Sequence, residues 1–249
     1  MKEFFFLSGL PRSGSTLLSC ILDQNPLIHS EGNSGVCQLM WDTQVSVNKN
    51  QQLLANKRFD TKVDLCVSVP HTYYKNQEKN IVVDKCRSWT LPDNLRMIYS
   101  FITKSPKIIV LQRPVEEVIV SYANLMAMNG HFENIEQIML TPLTDPLMRS
   151  YDGVVYAKNN NNGEFIFINY SEMLDDIQGV IDKIYAHCGW EKFDHQYTDI
   201  VNNHPEDDGV YNFLGQHDIR STIGKRELNF KLSNETLDIC KKMNEVMFS

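Results

Sequence analysis

With 249 residues and 42% hydrophobic content, the chain can bury one substantial core, and no Pro/Gly/Ser-rich linker divides it, so a single domain over residues 1–249 is expected. The formal charge of −7 argues against nucleic acid as the main partner, and no apolar run approaches the ~18 residues of a membrane span. Six cysteines (20, 37, 66, 86, 188 and 240) show no C-x-x-C pair and no metal-ligand spacing, so free thiols are expected. The first strand begins almost at the N-terminus, leaving no room for a signal peptide and pointing to a soluble, cytoplasmic protein.

Residues 4–22, FFFLSGLPRSGSTLLSCIL, read as an apolar strand, a Gly-bracketed turn and a helix beginning near Ser13. A helix start presents free N–H groups and the positive end of its dipole to an anion, while Gly9 and Gly14 let the backbone bend and approach it. Ser15 and Thr16 add hydroxyls and Arg12 a guanidinium fork. The spacing is close to the nucleotide-triphosphate loop G-x-x-x-x-G-K-[ST], but Ser15 stands where that loop has lysine. The missing lysine argues against a triphosphate.

After a stop at Asp23–Pro26, residues 27–32 form a short strand ending in Glu31, with His29 two residues earlier. Asn80–Asp84 is a β-branched strand followed by Lys85, and its terminal Asp84 also fits the metal-holding acid of a Mg²⁺-dependent kinase or ATPase. Residues 107–111, KIIVL, form a further buried strand. It places Arg113 at a strand's carboxyl end, where doubly wound sheets hold ligands, and Ser121 about two turns into the helix over 115–128. Residues 164–169 form a strand after the 159–163 turn, and an amphipathic helix carrying Leu174, Ile177, Ile181 and Ile184 follows Tyr170 and stops at Gly189. Alternating strands and helices with ligand motifs after the strands predict an α/β fold, a doubly wound parallel sheet flanked by helices.

The PRSGST loop and the segment from Arg113 to Tyr122 together resemble the sulfotransferase family, whose donor is 3'-phosphoadenosine-5'-phosphosulfate (PAPS) and whose product is the bisphosphate PAP. The pattern is most similar to the tyrosylprotein sulfotransferase-like and bacterial or phage-type branch. The match covers residues 3–36 and 80–125, and more weakly 165–226, whereas 37–80 and 129–160 match nothing and are expected to wall the acceptor pocket.

The resemblance implies a P-loop-like sulfotransferase fold, a donor site without metal and direct in-line transfer to an acceptor hydroxyl on a small molecule, carbohydrate or peptide tyrosine. Arg12, Ser13, Gly14, Ser15 and Thr16 would hold the 5'-phosphosulfate, and Arg113 and Ser121 the 3'-phosphate. Tyr170 would lie against the adenosine, and Ser221 and Lys225 belong to a basic loop, 219–226, closing over the nucleotide. Glu31 would be the general base, with His29 as its rival, and Lys85 with Arg12 would stabilise the leaving oxygen. The chain departs from the tyrosylprotein branch at Leu125, where that branch has a second arginine. His71 and His217 read as loop or core histidines, and Trp41, Tyr73, Tyr74 and Trp89 as core aromatics. A metal-dependent nucleotide kinase, or a nucleotide-binding protein without chemistry, stays open as an alternative. Oligomeric state leaves no signature.

Overall fold

The computed structural model describes residues 2–131, 134–224 and 230–249. In chain order the elements are β1 (Glu3–Gly9), α1 (Ser15–Leu22), β2 (Ile28–Ser30), α2 (Val36–Lys49), α3 (Gln51–Ala55), α4 (Phe59–Tyr73), β3 (Ile81–Lys85) and α5 (Pro92–Phe101). They continue with β4 (Ile108–Gln112), α6 (Val115–Met128), α7 (Ile135–Leu140), α8 (Met148–Asn159), β5 (Phe165–Asn169), α9 (Tyr170–Asp175), α10 (Ile177–Cys188) and α11 (Asn234–Phe248). None of the described helices is long and apolar enough to cross a membrane.

The strands form one parallel sheet in the order β2-β3-β1-β4-β5, as the α/β pattern predicts. Successive side chains of a strand face opposite sides of the sheet, and both sides are apolar here, as parallel sheets require. Phe4, Phe6, Val82, Ile108 and Val110 point to one side and pack with residues of α2, α5, α6, α8 and α11. Phe5, Leu7, Val83, Ile109 and Leu111 point to the other and pack with α1 and α10. The connection order reverses at β1, with β2 and β3 on one side of it and β4 and β5 on the other. Such a reversal opens a crevice at the carboxyl ends of the strands, between β1 and β4.

Two boundaries differ from the sequence expectation. α1 begins at Ser15 rather than near Ser13, because Gly14 caps it in the left-handed region at φ 86°. The helix expected after Tyr170 is two helices: Asp176 breaks it at φ −145°, ψ 70°, and its side chain accepts a hydrogen bond from the Gly179 N–H to start α10. Residues 37–80, which carried no motif, form the helical layer α2 to α4. The six cysteines are unpaired, as expected.

Candidate active site

The crevice between β1 and β4 is lined by the loop before α1, the ends of β3 and β4, α6, α9 and the segment 216–224. Gly9 lies where the chain leaves β1 at φ 124°, and a Cβ there would sit 2.2 Å from the Leu111 carbonyl oxygen. Only glycine lets β1 and β4 close to this distance at the crevice floor. Gly14, Ser15 and Thr16 then line the opening with the amino end of α1.

Lys85, at the end of β3, is 3% exposed and donates from Nζ to Thr16 Oγ1 at 3.2 Å. Burial lowers its pKa to about 8, against the raising influence of Glu206. On the opposite wall, Arg113 donates from Nη1 to the Arg12 carbonyl at 2.6 Å and from Nε to Glu117 at 3.0 Å, and its guanidinium lies 4.1 Å over the Tyr170 ring. Arg12, itself at φ 57°, donates from Nε to Ser121 Oγ at 3.2 Å. The loop cation therefore joins Arg113 to Ser121 on the side expected for the 3'-phosphate, and its charge also reaches Lys85 on the same lining.

Several expected residues lie off the lining. Ser13 is fully buried, and its hydroxyl turns back to the Leu10 carbonyl, leaving only its backbone to the loop. Ser221 is exposed and lies off the lining, between Arg220 and Thr222, which both line the crevice; Thr222 forms an isolated bridge with Thr198. Lys225 and Arg226 fall outside the described residues. Glu31 does not line the crevice, and its Oε2 lies 3.2 Å from His29 Nε2. Asp84 is 1% exposed and accepts from Trp89 Nε1 at 2.7 Å and from the Tyr74 hydroxyl at 2.8 Å, which makes it a buried structural carboxylate. His71 packs edge-on against Phe4, and Trp89 and Tyr74 are core, as expected, whereas Trp41 is only partly buried and Tyr73, at the end of α4, is 40% exposed rather than core.

Sequence reasoning missed five groups on or behind the lining. Arg87 lines the crevice and donates to the Tyr122 hydroxyl at 3.3 Å. His217 also lines it, with Nδ1 2.5 Å from Asp208 Oδ1 and 3.5 Å from Glu206 Oε2. Its Nε2 meets the Asn33 amide nitrogen at 3.0 Å. An amide donor on Nε2 and a carboxylate on Nδ1 fix one tautomer, with the proton on Nδ1 and the lone pair on Nε2. Burial pushes the Asp208 carboxyl up, but hydrogen bonds from His217 outweigh it and hold it below its ordinary value. The only advance signal was a histidine beside a basic segment, since Asp208 and Glu206 meet it through a turn that has no periodicity.

A sequence profile described as "Sulfotransferase family" matches residues 5–195. No curated protein matches the sequence. Among solved structures, the chain is similar to the sulfotransferase domain from the curacin biosynthetic pathway, with TM-score 0.58, 16% identity and coverage of 98% of this chain and 97% of that one. It is also similar to a sulfotransferase from Alicyclobacillus acidocaldarius, with TM-score 0.59, 11% identity and coverage of 99% and 94%. A retinol dehydratase in complex with retinol and PAP aligns with TM-score 0.50 and 16% identity over 99% of this chain and 81% of that one. These likenesses speak for the fold.

Proposed function

Because the chain belongs to the sulfotransferase family, we propose that its crevice binds PAPS and passes the sulfuryl group in line to an acceptor hydroxyl. The observation that carries this reading is the convergence of two anion sites on one opening, the lysine-free loop with Lys85 and the Arg113, Ser121 and Arg12 cluster beside Tyr170. A 3',5'-bisphosphorylated adenosine has two phosphates and one stackable base, and this set offers a partner to each. The PAP held by the retinol dehydratase of the same fold supports the same donor. Transfer of this kind needs positioning and charge neutralisation, and this reading assigns no step to a metal.

In this mechanism the acceptor oxygen attacks sulfur while the bond from sulfur to the 5'-phosphate oxygen breaks. The electron pair stays on that oxygen, facing Lys85 and the amino end of α1. The acceptor proton passes to His217 Nε2, whose imidazolium is stabilised by Asp208. We assign the base to His217 rather than Glu31 because His217 lines the crevice and its Nε2 lone pair is held only by the Asn33 amide, which the acceptor hydroxyl has to displace, while the Glu31 carboxylate faces His29. Glu31 and Ser221, on which the likeness to the tyrosylprotein enzymes leaned, are both off the lining, so the acceptor is proposed only as a hydroxyl compound.

Calorimetric titration with PAP in chelator, against ATP with Mg²⁺, tests the donor site. Metal-independent PAP binding, at least tenfold weaker in Arg113→Ala, is expected; preference for ATP with Mg²⁺ would overturn the reading. With PAPS and a panel of phenols, sugars and alcohols, His217→Gln should lower kcat about 10²-fold or more while PAP affinity stays within about twofold. An active His217→Gln beside an inactive Glu31→Gln would return the base to Glu31.

A further inference from the structure

Three ligating side chains gather where α1, β2 and the segment after α10 meet. Asp23 follows the last turn of α1, His29 is the middle residue of β2, and His204 lies in the later segment; one ligand atom from each falls within 4.8 Å of the others. Asp23 is 5% exposed and His29 1%. Asp23 Oδ2 is 3.4 Å from His204 Nε2, and His29 Nδ1 is 3.9 Å from Asp23 Oδ1. The two imidazole rings stand edge to face with centroids 4.9 Å apart. The other ring nitrogen of His29, Nε2, is fully buried and has no aligned hydrogen bond, although Glu31 Oε2 lies 3.2 Å away.

We propose that Asp23, His29 and His204 form a binding site for a divalent transition metal of the zinc type. Two imidazoles and one carboxylate suit zinc and its neighbours, whereas magnesium and calcium prefer oxygen alone. The 3.4 Å from Asp23 Oδ2 to His204 Nε2 is close to the edge of a tetrahedral site with bonds of about 2 Å, and the ligand atom of His29 lies within 4.8 Å of both. The surroundings match what such ligands need behind them. A metal on His29 Nδ1 fixes the proton on Nε2, which then has Glu31 as acceptor, the carboxylate–histidine–metal arrangement that orients a ligating ring. On Asp23, Lys79 Nζ holds Oδ1 at 2.8 Å and Asn203 Nδ2 supports Oδ2 at 3.2 Å, so the carboxylate offers Oδ2 as a single ligand.

The site has a structural consequence. His204 stands two residues before Glu206, which accepts from the Asn33 N–H at 2.8 Å, and four before Asp208, which holds His217. A metal there ties this segment to the edge strand β2 and braces the wall that carries His217.

The test is zinc binding by the chelator-stripped full chain, read by calorimetry and by zinc retained after desalting. Wild type should retain one equivalent and show a higher Tm with zinc. His204→Ala, whose side chain is only partly buried, should bind at least tenfold more weakly and lose the Tm shift; Glu31→Gln should weaken binding about tenfold. Cobalt bound to wild type should give visible d–d bands without a thiolate charge-transfer band, a readout that survives even if His204→Ala fails to fold. No retained zinc, equal retention in wild type and His204→Ala, or a thiolate band from the free cysteines would each overturn the proposal.

Discussion

Burial sets the protonation of Lys85, and its chemistry follows from that. The ammonium is held to about 8 by desolvation, although Glu206 acts in the opposite direction. A bound phosphosulfate favours the charged form, so the lysine takes up a proton when donor or PAP binds above that value. The sign is therefore fixed: affinity is full where Lys85 is already charged, below about 8, and weakens as pH rises through it, by up to about tenfold per pH unit for a single linked proton. Calorimetry in buffers of different ionisation enthalpy should show proton uptake on PAP binding near pH 9 and little near pH 6.5. Lys85→Arg, which stays charged throughout, should flatten the profile; an unchanged alkaline limb in that variant would assign the proton to another group.

At the scale of the element, the unit of β1, loop and α1 works because two glycines stand where no side chain fits. In Gly9→Ala the new methyl meets the Leu111 carbonyl and peptide nitrogen within 2.5 Å at φ 124°, against backbone that cannot step aside. A loss of about 2 kcal/mol or more is expected, seen as a lowered denaturation midpoint at constant m-value. Gly14→Ala meets the flexible Met173 Cε at 2.3 Å and the Tyr170 ring at 3.2 Å, so its cost should appear as weaker PAP binding through the displaced ring that stacks on Arg113. An unaltered PAP affinity would separate Tyr170 from the donor site. The strands and this loop were legible in the sequence because apolar runs, glycine spacing and helical periodicity are local signals. The break at Asp176 was not, since one side chain capping Gly179 overrides an apolar pattern that continues through it. Nor was the meeting of His217 with Asp208, or the place of Ser221 off the lining; both depend on how an irregular segment folds back against the sheet.

Across the whole molecule, the parallel sheet separates neighbouring residues into different compartments, which decides between the two readings of the β3 terminus. Register pairs Phe6 with Asp84 and Leu7 with Lys85, so the aspartate joins the layer of Phe6 and Trp89 while the lysine joins that of Leu7 and α1. In the sequence, Asp84 kept a metal-dependent alternative open beside the Lys85 role implied by the family resemblance. Packing places Asp84 between the Trp89 and Tyr74 donors, away from Thr16. Burial raises its pKa despite those hydrogen bonds, so the native state holds this proton more tightly than the unfolded chain. Its linked stability is therefore greatest in acid, below the unfolded carboxylate value, and declines as pH rises through the folded one. Asp84→Asn removes the buried charge and keeps an acceptor for Trp89. It should leave PAP affinity within about twofold of wild type and flatten the dependence of Tm on pH above about 4, the ordinary carboxylate value. Lys85→Ala, one residue further on, should lose at least tenfold in PAP affinity with little change in that dependence near neutrality. Collapse of nucleotide binding in Asp84→Asn, with ATP and Mg²⁺ as the preferred ligand of wild type, would instead make Asp84 the acid of a metal-dependent phosphoryl site.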